Sequence, residues 1–184
     1  MNPNGREFVE QELLLLKCRR GDREALGRLI RANEQPLYYF VRRIVGSYAD
    51  AWDVMQQMWV RVLRGIAGVR DAAGLKAWLY RVARNTALNH LRAEQRHQAA
   101  IAIKMEEGSS EESEPRFLLE DAEAVHAALD KIELPFREAL TLYFLEELSI
   151  RQMAEILDIP EGTVKSRLFH GKQKLRAILE KSHE

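Results

Sequence analysis

The sequence predicts an all-α protein of two small helical domains joined by a flexible acidic linker, the second domain containing a helix-turn-helix. Three observations carry that prediction. Apolar residues recur at helical spacing, with no convincing alternating stretch of the kind a strand requires. Residues 108–115, GSSEESEP, hold no apolar side chain and two strong backbone breakers, so they cannot help to bury a core. Residues 149–179 read as a helix, a tight turn and a second helix with a basic exposed face. The domains are placed at 1–96 and 121–184, with the linker at 97–120.

The first half divides into four helices, at roughly 7–20, 22–45 with a break or kink near Pro36, 48–65 and 73–95. Gly21, the Gly46–Ser47 pair and the run from Gly65 to Gly74 mark the turns between them. Cys18, on the first helix, is the only cysteine, which excludes a disulfide within the chain and a cysteine-based zinc site; it is expected to be a buried small apolar side chain.

On the third helix, DAWDVMQQMWVRVLRG, Val54, Met58, Trp59 and Val62 form an inward stripe. Asp50, Asp53, Gln56, Gln57 and Arg61 face outward, a mixture of amides, charges and apolar neighbours compatible with a protein interface. Asp50 and Asp53, one turn apart, could share a cation, but a solvated helix start favoured by the helix dipole is the better-supported reading.

The fourth helix contains LKAWLYRVARNTALNHLR. Trp78, Arg81, Asn85, Asn89 and Arg92 occupy one sector of about 80° on its wheel. Bases stack on aromatic rings, amides read base edges and arginines hold phosphates, so this stripe suits unpaired or partly opened DNA. A Trp is also a frequent core residue, and Trp78 fits either role.

The formal net charge is zero, with 28 Lys and Arg against 28 Asp and Glu, but the zero is a cancellation. Residues 1–98 carry 17 cationic against 10 acidic residues, residues 99–123 carry 2 against 8, and residues 124–184 carry 9 against 10. A basic first half is thus followed by an acidic tether and a balanced last part whose cations gather in its final helix.

In the second half, Ser149 and Gln152 have the spacing of a capping box, Met153, Ala154 and Leu157 supply an apolar stripe, and Asp158 stands where the chain must turn through left-handed backbone. Pro160 prevents the first helix from continuing. In the helix after it, Val164, Leu168, Leu175 and Leu179 fall in one sector of roughly 60° facing the core. Ser166, His170 and Gln173 lie opposite, flanked by Lys165 and Arg176 on one edge and Arg167 and Lys174 on the other. Short polar groups at the centre can reach base edges while the flanking cations hold phosphates, and from Thr163 to Leu179 there is no acidic residue.

The five histidines, at 90, 97, 126, 170 and 183, show no pairing at metal-ligand spacing, and no catalytic triad pattern or glycine-rich phosphate loop occurs. No enzyme activity, metal, cofactor or small-molecule substrate is expected. Without an apolar run long enough to span a bilayer or a signal-peptide pattern, the protein is expected to be soluble and cytoplasmic, with no membrane insertion.

Taken together, DAWDVMQQMWVRVLRG, LKAWLYRVARNTALNHLR and LPFREALTLYFLEELSIRQMAEILDIPEGTVKSRLFHGKQKLR resemble, in order and spacing, the extracytoplasmic-function sigma factors of bacterial RNA polymerase. The resemblance covers nearly the whole chain. It implies that Asp50, Asp53, Val54, Gln56 and Gln57 dock on the clamp helices of the core polymerase's largest subunit. It implies that the loop from about Gly65 to Lys76 and the helix after it capture and melt the downstream promoter element, with Lys76, Trp78, Arg81, Arg84, Asn85, Asn89 and Arg92 as the contact set.

It further implies that the helix at 161–176 enters the major groove of the upstream element through Thr163, Lys165, Ser166, Arg167, Phe169, His170 and Lys174. Core RNA polymerase and promoter DNA are the implied partners, and an anti-sigma factor is a common further partner in the family. The chain departs from the family pattern at Trp52 and Gln57, where acidic residues are usual, and at His90, where Asp is common. The rival expectation is a conventional helix-turn-helix transcriptional regulator with an N-terminal sensing or dimerising domain, which requires a ligand pocket or a symmetric dimer seam.

Overall fold

The structure, a computed structural model, describes the backbone of residues 3–102 and 120–182 and the side chains of residues 9–98 and 125–180. Among the described residues the regular structure is helical. The elements are α1 (Pro3–Arg19), α2 (Arg23–Val45), α3 (Tyr48–Gly65), a short 3₁₀ turn (Ile66–Gly68), α4 (Ala72–Ala102), α5 (Glu120–Asp130), α6 (Leu134–Leu140) running into a π-helical turn (Thr141–Leu145), α7 (Ile150–Leu157) and α8 (Glu161–Ser182).

Local chemistry explains the boundaries. Asp22 caps α2, its Oδ1 accepting from the amides of Glu24 at 2.9 Å and Ala25 at 3.1 Å. Gly46 closes α2 in left-handed backbone at φ 84°. Ser47 then caps α3 by accepting from the Asp50 amide. The start of α4 is held by Asp71, which accepts from the Gly74 amide at 2.8 Å, and by Glu12 of α1, which accepts from the Ala72 amide at 2.8 Å.

Two boundaries differ from those the sequence predicts. Pro36 stands inside one continuous α2 rather than at a break. A proline removes a single amide donor, and burial of Leu29, Leu37, Phe40 and Val41 along the same helix holds it together. Helix α4 continues to Ala102, into the predicted linker, because residues 96–102 contain neither Gly nor Pro to stop it. Most of the predicted linker, residues 103–119, lies outside the described residues.

Helices α1 to α4 enclose Leu15, Leu29, Leu37, Phe40, Met55, Met58, Leu79 and Tyr80; Cys18 is buried there, as expected. Helices α5 to α8 enclose Leu129, Ile132, Leu140, Leu142, Met153, Ile156, Val164 and Leu168. The two halves also pack on each other, α4 against α7 and α2 against α6, and their buried side chains merge into one apolar cluster. No helix among the described residues is long and apolar enough to cross a membrane.

Candidate functional site

The helix-turn-helix forms as its sequence chemistry requires. The Ser149 amide donates to Gln152 Oε1 at 2.9 Å, and the Gln152 amide donates to Ser149 Oγ at 3.2 Å, a reciprocal capping box at the start of α7. Asp158 ends α7 at φ 55°, ψ 50°, left-handed backbone that Asp tolerates better than most residues. Val164 and Leu168 are buried, and Leu175 and Leu179 are half-buried. Gly171 faces α6 so closely that an added Cβ would lie 3.2 Å from Leu140, so α8 is seated without a side chain at that point.

This seating leaves Thr163, Lys165, Ser166, Phe169 and His170 exposed along α8, while Arg167 and Lys174 are half-buried. Phe169 is 60% exposed, with its ring edge-on to His170. Lys174 donates to Glu133 at 2.6 Å, a pairing that holds the Glu133 carboxyl below its ordinary range. Lys172 lies over the Tyr143 and Phe144 rings, at 5.4 Å and 5.1 Å from their centroids, so Lys174 and Lys172 are both engaged within the protein.

On α4 the predicted stripe lies along two clefts. The first, of about 420 Å³, is lined by Gly68, Arg70, Asp71, Trp78 and Arg81, with Glu155 of α7 across from them. The second, of about 530 Å³, runs along Arg81, Arg84, Asn85, Asn89 and Arg92 and is walled by Glu155 and Asp158. Trp78 is half-buried and approaches Gly65 so closely that a Cβ there would lie 3.0 Å from the indole. Its ring packs against the end of α3 while one edge lines the first cleft.

Carboxylates of the second half meet cations of the first. Arg84 donates through Nε to Glu138 Oε1 at 2.7 Å and through Nη2 to Oε2 at 3.3 Å, a forked pair. Lys76 donates to the Glu146 carbonyl at 2.7 Å and lies 3.8 Å from its carboxylate. Arg43 pairs with Asp130 at 2.6 Å, and Arg137 donates to the Arg43 carbonyl at 2.9 Å. Burial pushes the Glu138 carboxyl above its ordinary range in spite of Arg84, and burial does the same to Glu146 against the pull of Tyr80 and Lys76.

The helix-turn-helix and the basic, amide-bearing α4 are matched by family models described as "Sigma-70 region 2" over residues 29–97 and "Sigma-70, region 4" over residues 122–175. The chain is 31% identical over 178 residues to the ECF RNA polymerase sigma-E factor of Escherichia coli (strain K12), spanning 91% of this chain and 93% of that one. The chain belongs to the extracytoplasmic-function sigma factors. It is also 29% identical over 182 residues to the RNA polymerase sigma-H factor of Pseudomonas aeruginosa, spanning 93% and 94% of the two chains.

Solved structures share the fold. CnrH in complex with the cytosolic domain of CnrY matches with a TM-score of 0.67 at 20% identity, over 92% of this chain and 97% of that one. The sigma factor RpoE, in complex with the anti-sigma factor NepR from Bartonella quintana, matches with a TM-score of 0.69 at 22% identity, over 84% and 96%. As a sigma factor this chain binds core RNA polymerase, directs it to promoters and helps to open the DNA.

Of the residues expected to dock on core polymerase, Asp53, Gln56 and Gln57 are exposed on α3 and Asp50 is half-buried. Val54 is fully buried, so it supports the helix from beneath and is not part of the exposed face. Trp52, at a departure from the family pattern, is 38% exposed and stacks on Tyr38 with ring centroids 4.8 Å apart.

Sequence reasoning missed Glu138, Glu146 and Asp130, the carboxylates that hold this sigma factor's two halves together. A signal was present for one pair. Glu138 interrupts the row Leu134, Glu138, Leu142, and Arg84 interrupts Tyr80, Arg84, Leu88, each a charge within an apolar i, i+4 row. Two such interruptions of opposite sign fit a buried ion pair between the rows.

Proposed function

We propose that this sigma factor docks on core polymerase through Asp50, Asp53, Gln56 and Gln57 of α3. It reads and opens the downstream promoter element along α4, and it reads the upstream element with α8. Lys76, Trp78, Arg81, Arg84, Asn85, Asn89 and Arg92 form the downstream contact set, and Thr163, Lys165, Ser166, Arg167, Phe169, His170 and Lys174 the upstream one. The observation that carries this assignment is the pair of clefts along the α4 stripe, where an indole edge, two amides and three arginines line one continuous surface.

In the closed arrangement α7 faces that surface, and Arg84 and Lys76 are already engaged by Glu138 and Glu146. Promoter opening therefore requires the second half to leave α4, so that bases and phosphates replace the carboxylates. Once apart, the two modules act as weak contacts on one tether, and avidity appears only where the promoter spacing fits.

The chain contributes binding energy and no chemistry of its own; nucleotidyl transfer belongs to the polymerase, and the site of action is the cytoplasm. An anti-sigma factor is the proposed inhibitory partner, supported by the RpoE neighbour having been solved with one. The decisive experiment is transcription by purified core polymerase with this chain on a promoter library. Selection of a two-element promoter class together with a stable complex with core is the expected result, and failure of both overturns the proposal.

A further inference from the structure

We infer that Asp50, His90 and Glu94 form a binding site for one divalent transition-metal ion, laid across the junction of α3 and α4. The three side chains each offer one ligand atom, and these atoms all lie within 4.8 Å of one another. His90 and Glu94 are four residues apart on α4, so both project from one face of that helix. Asp50 reaches them from the first turn of α3. Ligand atoms held at about 2.0–2.2 Å from a shared ion sit roughly 3–3.5 Å apart, so small side-chain rotations close the set around a metal.

A second observation points to a ligand. His90 Nε2 is shielded from solvent and makes no hydrogen bond, and its distance to Asp50 Oδ1 is 3.5 Å. The His90 side chain is 16% exposed and that of Asp50 28%, so the cluster is largely withdrawn from water. A shielded imidazole nitrogen without a hydrogen-bond partner is costly, and a metal ion satisfies it directly.

The donor set also fits in charge and kind. One imidazole and two carboxylates suit Zn²⁺, Mn²⁺, Co²⁺ or Ni²⁺ better than Mg²⁺ or Ca²⁺, which favour oxygen-only shells. Two carboxylates balance the charge of a divalent ion, so the loaded site is neutral, which its burial favours. A bound ion would clip the first turn of α3 to the middle of α4. The site shares Asp50 with the proposed polymerase-docking face and no residue with the promoter contacts, and its test reads metal binding alone.

The test is calorimetric titration of the untagged full-length chain with Zn²⁺, and with Co²⁺ followed by its visible absorption. One equivalent of saturable binding, a Co²⁺ spectrum of a nitrogen- and oxygen-ligated ion and a higher Tm with metal are expected. His90→Ala and Glu94→Gln, with folding checked by circular dichroism, should each weaken binding by at least about tenfold. His170→Ala, on exposed α8, should leave binding intact. Absence of one-equivalent binding by the unaltered chain overturns the proposal, as does binding that survives His90→Ala or is lost in His170→Ala.

Discussion

Arg84 of α4 and Glu138 of α6 form a forked ion pair, at 2.7 Å and 3.3 Å, in which the Glu138 side chain is only 3% exposed. The same guanidinium lies in the stripe assigned to promoter DNA. Under the proposed assignment that carboxylate takes the place of a DNA phosphate, so closure of the protein and capture of the downstream element would compete for one cation.

Replacing Glu138 by Lys should open the molecule. It sets a second cation against the Arg84 guanidinium, whose side chain is 15% exposed, a like-charge contact that only parting of the halves relieves. Fluorescence energy transfer between labels on α1 and α8 should fall, and binding of a single-stranded downstream element should tighten. Unchanged transfer would show that the apolar contact of α4 with α7 alone sets closure.

The same interface should respond to pH with a definite sign. Burial raises the Glu138 and Glu146 carboxyls above the ordinary value of 4.5 that each regains when the halves part. The closed state thus holds their protons more tightly. Its advantage is fully present below 4.5 and is lost as the pH rises through the raised values. Energy transfer across an acid-to-neutral titration should decline with increasing pH, and the decline should shrink in Glu138→Gln.

On α8, replacing Lys165, Ser166 and Arg167 together by Ala should abolish response to the upstream element while leaving core binding intact. Two of the three are cations, so the slope of log affinity against log salt should fall by about two. Binding to upstream-element duplexes across a salt series checks this. Loss of core binding instead would place the polymerase surface on α8.

Along α4, Asn85→Ala should impair open-complex formation more than closed-complex formation, because an exposed amide in the second cleft can reach a base edge only after the bases are unpaired. Permanganate footprinting alongside closed-complex affinity separates the two steps. Equal losses in both would make Asn85 a duplex contact.

Much of the fold was legible because its signals are local. The Ser149–Gln152 box, the left-handed Asp158 and the apolar row of Val164 and Leu168 each depend on neighbours within a few turns, and the structure carries all of them. The face of α3 was legible for the same reason. The helical spacing already turns Val54 inward, where α3 packs on α2 and α4 and buries it; only the family resemblance sets it on the docking face. Trp78 likewise fitted two roles on the wheel, and the approach of Gly65 to its ring shows why its indole is half-buried.

The sequence by itself determined helices α1 to α4 and the helix-turn-helix, the Ser149–Gln152 cap, the basic face of α8 and the stripe on α4, because propensity, periodicity and capping act over three to five residues. Only the tertiary structure decided what those faces meet. Arg84 finds Glu138 54 positions away, and His90 finds Asp50 across two helices. Pairings of that kind depend on how closely packed helices cross one another, and no spacing along the chain encodes where two crossing helices place their side chains.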